Sequence, residues 1–143
     1  MGVGDERRLA TGEQIGALPG MRARRQGLIV NISSLAGQFA PPLQGVYSAS
    51  KAALEMLSEA LQFEVQHFGV RVVVIQSGGI RTDKTKRPPH FSLESYDPLI
   101  QQQNDRLAQY ATRGNGAMPE EVASTIAEII ENPKSSFKVP VGG

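Results

Sequence analysis

Val46-Tyr47-Ser48-Ala49-Ser50-Lys51-Ala52-Ala53-Leu54-Glu55 decides how the rest of the chain is read. It opens the longest helical run, which extends to about Phe68 and stops at Gly69, because glycine tolerates the left-handed backbone that closes a helix. Tyr47 and Lys51 are four residues apart, so a helix sets them one turn apart on one face. An ammonium beside a phenol favours the phenolate. A phenol whose pKa is brought from about 10 toward neutrality can exchange a proton with a carbonyl or an alcohol near pH 7. Standing alone, the pair is equally a solvated tyrosine with a snorkelling lysine. Its surroundings shift the balance. Small residues (Ser48, Ala49, Ser50, Ala52, Ala53) let other groups approach the helix backbone closely. Upstream, Gly27-Leu28-Ile29-Val30-Asn31-Ile32-Ser33 reads as a strand buried on both faces, since apolar residues dominate without alternation. Downstream, Val70-Arg71-Val72-Val73-Val74-Ile75-Gln76 reads as a second strand, and strand, helix and strand make one β-α-β unit.

Ser34 ends the first run, thirteen residues before Tyr47. With a serine, then Tyr-x-x-x-Lys on the next helix, the chain resembles the short-chain dehydrogenase/reductase family over roughly residues 17 to 143. The resemblance implies an α/β fold, here an incomplete Rossmann-like, doubly wound parallel sheet of about three strands with flanking helices. It also implies a catalytic set of Ser34, Tyr47 and Lys51. Tyr47 is the acid/base, Lys51 tunes it and binds the nicotinamide ribose, and Ser34 steadies the substrate oxygen. An isolated Ser-Ser after a strand would be a turn-former; the distance to the tyrosine makes Ser34 the functional candidate.

Ser77-Gly78-Gly79-Ile80-Arg81-Thr82 follows the second strand, at the carboxyl edge where open α/β sheets bind ligands. It resembles the family's Pro-Gly-x-x-x-Thr segment, which implies that Gly78, Ile80 and Thr82 join Tyr47 and Lys51 in binding NAD or NADP. Ser77 stands in the proline position, which predicts a less rigid turn. The wording of helix 45–68 and the ending Val139-Pro140-Val141-Gly142 resemble the hydroxysteroid and retinol dehydrogenase branch, hence an apolar small-molecule alcohol or carbonyl. Phe39 and Leu43, in the loop after Ser34, are candidates either to line its pocket or to cap the core. The family also implies a homo-oligomer formed through helix 45–68.

Composition narrows the field. A chain of 143 residues supports one core, not two ordinary domains. A net charge of +1 without runs of one sign points away from nucleic acid and from acidic membranes. There is no cysteine for a disulfide or a thiolate metal site, and His67 and His90 match no metal-ligand spacing. No apolar run approaches the ~20 residues of a membrane span, and no signal peptide is evident, so a cytoplasmic protein is expected.

Other elements follow in order. On helix 45–68, Val46, Ala49, Ala53, Leu57, Ala60, Leu61 and Glu64 form one stripe, and Ala52, Met56, Phe63 and Val65 widen it. A stripe broader than one sheet contact predicts a second buried surface. Asp83 to roughly Glu94 is basic and then proline-rich, and in the family this region is a lid. A helix is expected over 95–113. Pro119-Glu120-Glu121 opens the last helix, with Val122, Ile126, Ile129 and Ile130 as its buried stripe. Phe137 to Val141 is a short edge strand, because Pro140 cannot donate to a ladder.

Residues 1–16 show neither period and are expected to be loose or mismatched. Thr11-Gly12-Glu13-Gln14-Ile15-Gly16 has the outline of a dinucleotide loop but lacks a strand before it, and Pro19-Gly20 should soon interrupt any helix after it. Residues 17–27 read as the end of the helix leading into the serine strand. The glycine-loop half of the family fold is not found, so the chain is expected to be a carboxyl-terminal part, weak or inactive alone, with the serine strand left as an exposed edge. A non-catalytic remnant that dimerises or binds a partner is the rival from another class. A sugar-nucleotide epimerase or reductase, which shares Tyr-x-x-x-Lys, ranks below it.

Overall fold

Val72 to Gln76 are five consecutive buried residues, and the molecule is built around them. The computed structural model describes residues 12–81, 94–112 and 116–142. Its elements are α1 (Gly12–Ala23), β1 (Gly27–Ser34), α2 (Gly45–Val65), β2 (Val70–Ser77), α3 (Asp97–Thr112), α4 (Pro119–Glu131) and β3 (Lys138–Val141). The three strands form one parallel sheet in the order β1-β2-β3. In register, Gly27 faces Val70 and Ser34 faces Ser77, while Val74 faces Lys138 and Ser77 faces Val141. This is the expected α/β architecture.

As the central strand, β2 buries both faces, as parallel sheets covered by helices do. Val70 and Val72 pack with Ile29, Leu61 and Val65, and Leu18, Met21, Phe68 and Phe137 close over them. Val73 and Ile75 pack on the opposite face with Ala117, Ile129 and Val141. Each such fully buried aliphatic side chain contributes about 1.5–3 kcal/mol. β1 departs from the expectation of burial on both faces: Ile29 is buried, Leu28 and Val30 are half-buried, and Ile32 is 42% exposed. Among the described residues β1 pairs on one side only, with β2.

Three expectations about helices are corrected. First, α1 begins at Gly12 and continues past Pro19-Gly20 to Ala23. Proline removes its own N–H and crowds the carbonyl one turn earlier, but Leu18 and Met21 pack against the core on either side of it. The helix before the serine strand is therefore longer than residues 17–27 suggested; residues 1–11 lie outside the described residues. Second, on α4 Ile129 is buried and Val122 and Ile126 pack beside it, but Ile130 is exposed. One residue advances a helix by about 100°, which carries Ile130 off the stripe. At the start of α4, Pro119 occupies the first turn and Glu121 Oε1 accepts the Met118 N–H at 2.7 Å.

The third correction concerns α2. Its buried residues are Ser48, Glu55, Ser58, Leu61 and Val65. Val46 is 89% exposed, and Ala49, Ala53, Met56, Leu57, Ala60 and Phe63 are exposed with it. Most of the apolar stripe read from the sequence thus faces outward, and a mostly polar stripe faces the sheet. The strands supply the reason. Asn31 Nδ2 donates to Ser58 Oγ at 2.8 Å, and the Val72 N–H, beyond the reach of short β3, donates to Gln62 Oε1 at 2.6 Å. After a short 3₁₀ turn, Gly69 takes φ 73°, and a Cβ there would fall 2.3 Å from the Arg25 carbonyl oxygen. No other residue fits that turn.

Candidate active site

Ser34 is the last residue of β1, and its hydroxyl caps the 3₁₀ turn Leu35–Gly37 by accepting the Ala36 N–H at 3.2 Å. The turn-forming role and the candidate catalytic role therefore meet in one side chain, because a hydroxyl that accepts still has its own O–H to donate. Gly37 follows the turn closely onto α2. A Cβ there would lie 3.0 Å from Glu55 Oε1 and 3.2 Å from the Lys51 carbonyl carbon, so a larger residue would have to push these neighbours aside by a few tenths of an ångström.

Tyr47 sits in the first turn of α2 and is 45% exposed, its ring open to a ligand from outside. One turn on, the Lys51 ammonium lies 5.8 Å from the Tyr47 ring centroid and donates to the Ile32 carbonyl oxygen at 2.9 Å. Ile32 stands two residues before Ser34, so this bond ties the Tyr-Lys helix to the serine strand.

The segment after β2 lies beside Ser34 through the register of Ser34 with Ser77. Ser77, in the position where the family pattern has proline, donates its hydroxyl to the Ser33 carbonyl at 2.9 Å. A tether to the neighbouring strand thus holds the turn that proline would have stiffened through its fixed φ. Gly78 N–H donates to the Val141 carbonyl at 2.7 Å, Ala117 N–H to the Gly79 carbonyl at 2.8 Å, and Arg81 N–H to the Ala117 carbonyl at 2.9 Å. Ile80 pairs with Ala117 across an isolated parallel bridge, and its own amide and carbonyl stand outside those three bonds. The structure thus brings Ser34, Tyr47, Lys51, Gly78 and Ile80 to one end of the sheet, the carboxyl end. Thr82 and the lid residues 83–93 lie outside the described residues.

Beneath these residues is a polar cluster that the sequence reading did not assign. Glu55, four residues after Lys51, is 1% exposed. Its carboxylate accepts Ser33 Oγ at 2.9 Å, Gln76 Nε2 at 3.1 and 3.0 Å, and Gln38 Nε2. It also pairs with Lys138 Nζ at 3.1 Å. Burial by itself pushes the Glu55 carboxyl up; the bonds from Gln76, Ser33 and Lys138 and the charge of Lys138 overcome this and hold it below the usual glutamate value. A signal was present in the sequence. Lys51, Glu55, Ser58 and Gln62 recur at helical spacing inside an apolar helix, and Gln76 breaks an otherwise aliphatic strand.

At the opposite, amino end of β1 and β2 lies a cleft of about 580 Å³, lined by residues including Arg24, Gly27, Arg71 and Ile130. Arg71 is committed there to the carbonyls of Ile129 at 2.8 Å and Asn132 at 2.9 Å. Among the described residues no three His, Cys, Asp or Glu side chains are grouped to hold a metal ion, and no helix is long and apolar enough to cross a membrane.

Comparison with known proteins agrees with this geometry. The family model of the short chain dehydrogenases matches residues 15–90. The 3-ketodihydrosphingosine reductase of Bacteroides thetaiotaomicron is 32% identical over 167 residues, which take in 99% of this chain and 60% of that protein. A short-chain dehydrogenase from Streptomyces avermitilis superposes with a TM-score of 0.73 at 31% identity, over 91% of this chain and 47% of its own. A 3-oxoacyl-[acyl-carrier protein] reductase from Brucella melitensis, solved with bound NAD, superposes with a TM-score of 0.65 at 25% identity, over 99% of this chain and 52% of its own. The chain spans about half the length of these relatives. The parallel sheet, the crossover helix bearing Tyr47 and Lys51, and the family match across both lead to one conclusion: the chain belongs to the short-chain dehydrogenase family.

Proposed function

We propose that this chain carries the proton-transfer and nicotinamide-end part of an NAD(P)-dependent oxidoreductase that interconverts an alcohol and a carbonyl. The observation that carries the reading is the placement of Ser34, Tyr47 and Lys51 at the carboxyl end of the sheet, with Tyr47 exposed and Lys51 bonded to the serine strand. The residues fit a nicotinamide nucleotide: a cation, a phenol and a strand-end turn converge where open α/β sheets bind such ligands. When bound, the nicotinamide supplies or receives the hydride. Tyr47 gives the proton to the carbonyl oxygen in reduction and takes it from the alcohol in oxidation. Ser34 donates its O–H to that oxygen as charge develops on it. Lys51 lies between the tyrosine and the strand, placed to hold the nicotinamide ribose. Gly78, Ile80 and Thr82 are the proposed carboxamide contacts, with Ile80 the described member whose amide stands outside the local ladder.

An apolar substrate is the favoured class. Phe39 and Leu43, on the loop that leads from Ser34 into Tyr47, are both exposed. The outward face of α2, with Val46, Met56, Leu57 and Phe63, is the surface through which we expect two copies to associate.

The test joins residues 17–143 to the amino-terminal half of the Streptomyces relative and assays reduction of apolar ketones with NADH and NADPH. Turnover that falls about 10²–10⁴-fold on Tyr47→Phe supports the assignment. Near-full turnover in that variant would remove Tyr47 from the mechanism.

A further inference from the structure

Glu55 has an unusual position. It is a buried carboxylate whose partners come from four separate segments: Ser33 at the end of β1, Gln38 just past the 3₁₀ turn, Gln76 at the end of β2, and Lys138 at the start of β3. A carboxylate has only acceptor sites, about four lone pairs, and every partner here is a donor, so the ionised acid is fully used. Gly37 also packs closely against this cluster, since a Cβ there would meet the same Oε1 and the Lys51 backbone. Ser33 Oγ additionally lies 3.5 Å from the Lys51 carbonyl oxygen. A carboxylate serving stability alone would be a poor choice, because a buried charge gains little over well-packed apolar side chains. Its partners instead flank the residues assigned to chemistry: Ser33 precedes Ser34, Gln38 follows the turn that Ser34 caps, and Gln76 precedes the Ser77-Gly78 turn.

We propose that Glu55 is a positioning residue. It fixes the turn after Ser34 and the ends of β1 and β2 against the helix that carries Tyr47 and Lys51. Its role in the reaction rests on the functional reading above; its role in the geometry does not. Glu55 touches no reacting atom. Tyr47 and Lys51 lie on one element and Ser34 on another, so their relation is set by whatever joins the two. Glu55 is the side chain among the described residues that joins the helix to both strands and the intervening turn at once.

The experiment compares the full chain with Glu55→Gln, which keeps size but turns one acceptor into a donor facing Gln38, Gln76 and Lys138. The control is Leu61→Ala, a cavity on the same helix away from the site. Amide hydrogen exchange is read at Ala36, whose N–H is held by Ser34 Oγ, and at Gln38, whose N–H is held by the Leu35 carbonyl. Glu55→Gln should speed both amides by about tenfold or more beyond the change in β2 amides, whereas Leu61→Ala should speed all in proportion to lost stability. An equal pattern in the two variants overturns the proposal, and Glu55 is then scaffold only. If Glu55→Gln does not fold, Gln38→Ala removes one donor at an exposed position and carries the same comparison at Ala36.

The second readout is turnover of apolar ketones with NADH or NADPH by residues 17–143 joined to the amino-terminal half of the Streptomyces relative. Here kcat should fall about 10²-fold in Glu55→Gln with KM for the cofactor nearly unchanged, and Glu55→Asp, which keeps the charge, should recover part of the loss. A loosened turn with unchanged kcat overturns the catalytic part. A local exchange effect in a joined protein that turns over neither cofactor upholds the positioning and sinks the functional reading instead.

Discussion

The Lys51 ammonium stands 2.9 Å from the Ile32 carbonyl oxygen, on the strand that two residues later ends in Ser34. The lysine assigned to the cofactor is thus also a cross-brace between α2 and the open edge of β1. Lys51→Met should lose both roles. Stability should fall by about 1 kcal/mol, the loss of a partly solvated charge-assisted hydrogen bond. Cofactor affinity should fall with it when the amino-terminal half of the Streptomyces relative is supplied. Urea unfolding and NADH titration of one preparation separate the two effects, and unchanged affinity would leave Lys51 with the brace alone.

Tyr47→Phe should leave the fold intact. Its ring is half in solvent, and removing one hydroxyl at such a site changes stability by no more than about 0.5 kcal/mol. A melting temperature within a degree or two of the parent, beside a 10²–10⁴-fold lower rate, is the expected signature of an acid/base.

The outward face of α2 should mediate association. Val46, Met56, Leu57 and Phe63 present exposed apolar side chains on one helix, and apolar surface gathered in this way marks an interaction site. The chain should elute from a sizing column larger than a monomer, and Met56→Glu or Phe63→Glu should shift it toward monomer. Monomeric elution of the unmodified chain at micromolar concentration would contradict this. Association that survives both substitutions would implicate the open edge of β1 instead.

The stability that Glu55 contributes should depend on pH in one direction. Its folded pKa lies below the usual glutamate value, so the unfolded chain takes up the proton first as pH falls. The contribution is complete above the unfolded pKa of about 4.3 and is lost as pH drops through the lower folded value. The difference in melting temperature between the parent and Glu55→Gln should therefore be steady from pH 7 to about 5 and shrink below about 4. A difference that grows on acidification would show that the carboxyl is protonated in the fold.

The 143-residue chain by itself should bind NADH and NADPH more weakly than micromolar. The candidate contacts, Ser34, Tyr47, Lys51 and the Ser77–Thr82 segment, all belong to the nicotinamide end. Holding that end near the substrate depends on binding energy from the adenosine end. Calorimetric titration gives the answer, and a micromolar constant would mean that contacts beyond the nicotinamide end come from this chain.

The elements, their order and the family were legible in the sequence, because each rests on a local signal. Val70 to Ile75 is too apolar and too β-branched to be anything but a buried strand, Gly69 closes its helix as glycine does, and Tyr47 and Lys51 stand one turn apart wherever a helix forms. The inward face of α2 was a different matter. Its spacing offered an apolar stripe through Val46, Ala53 and Leu57, and hydrophobicity alone would have turned those residues to the sheet. Only the assembled sheet presents Asn31, Ser33, Gln76 and the unpaired Val72 N–H together, and buried donors left unmatched would each cost about 1–3 kcal/mol. Ser58, Gln62 and Glu55 therefore face inward and the apolar stripe faces out. That choice depends on partners 10 to 27 residues away along the chain, where no local periodicity can register it.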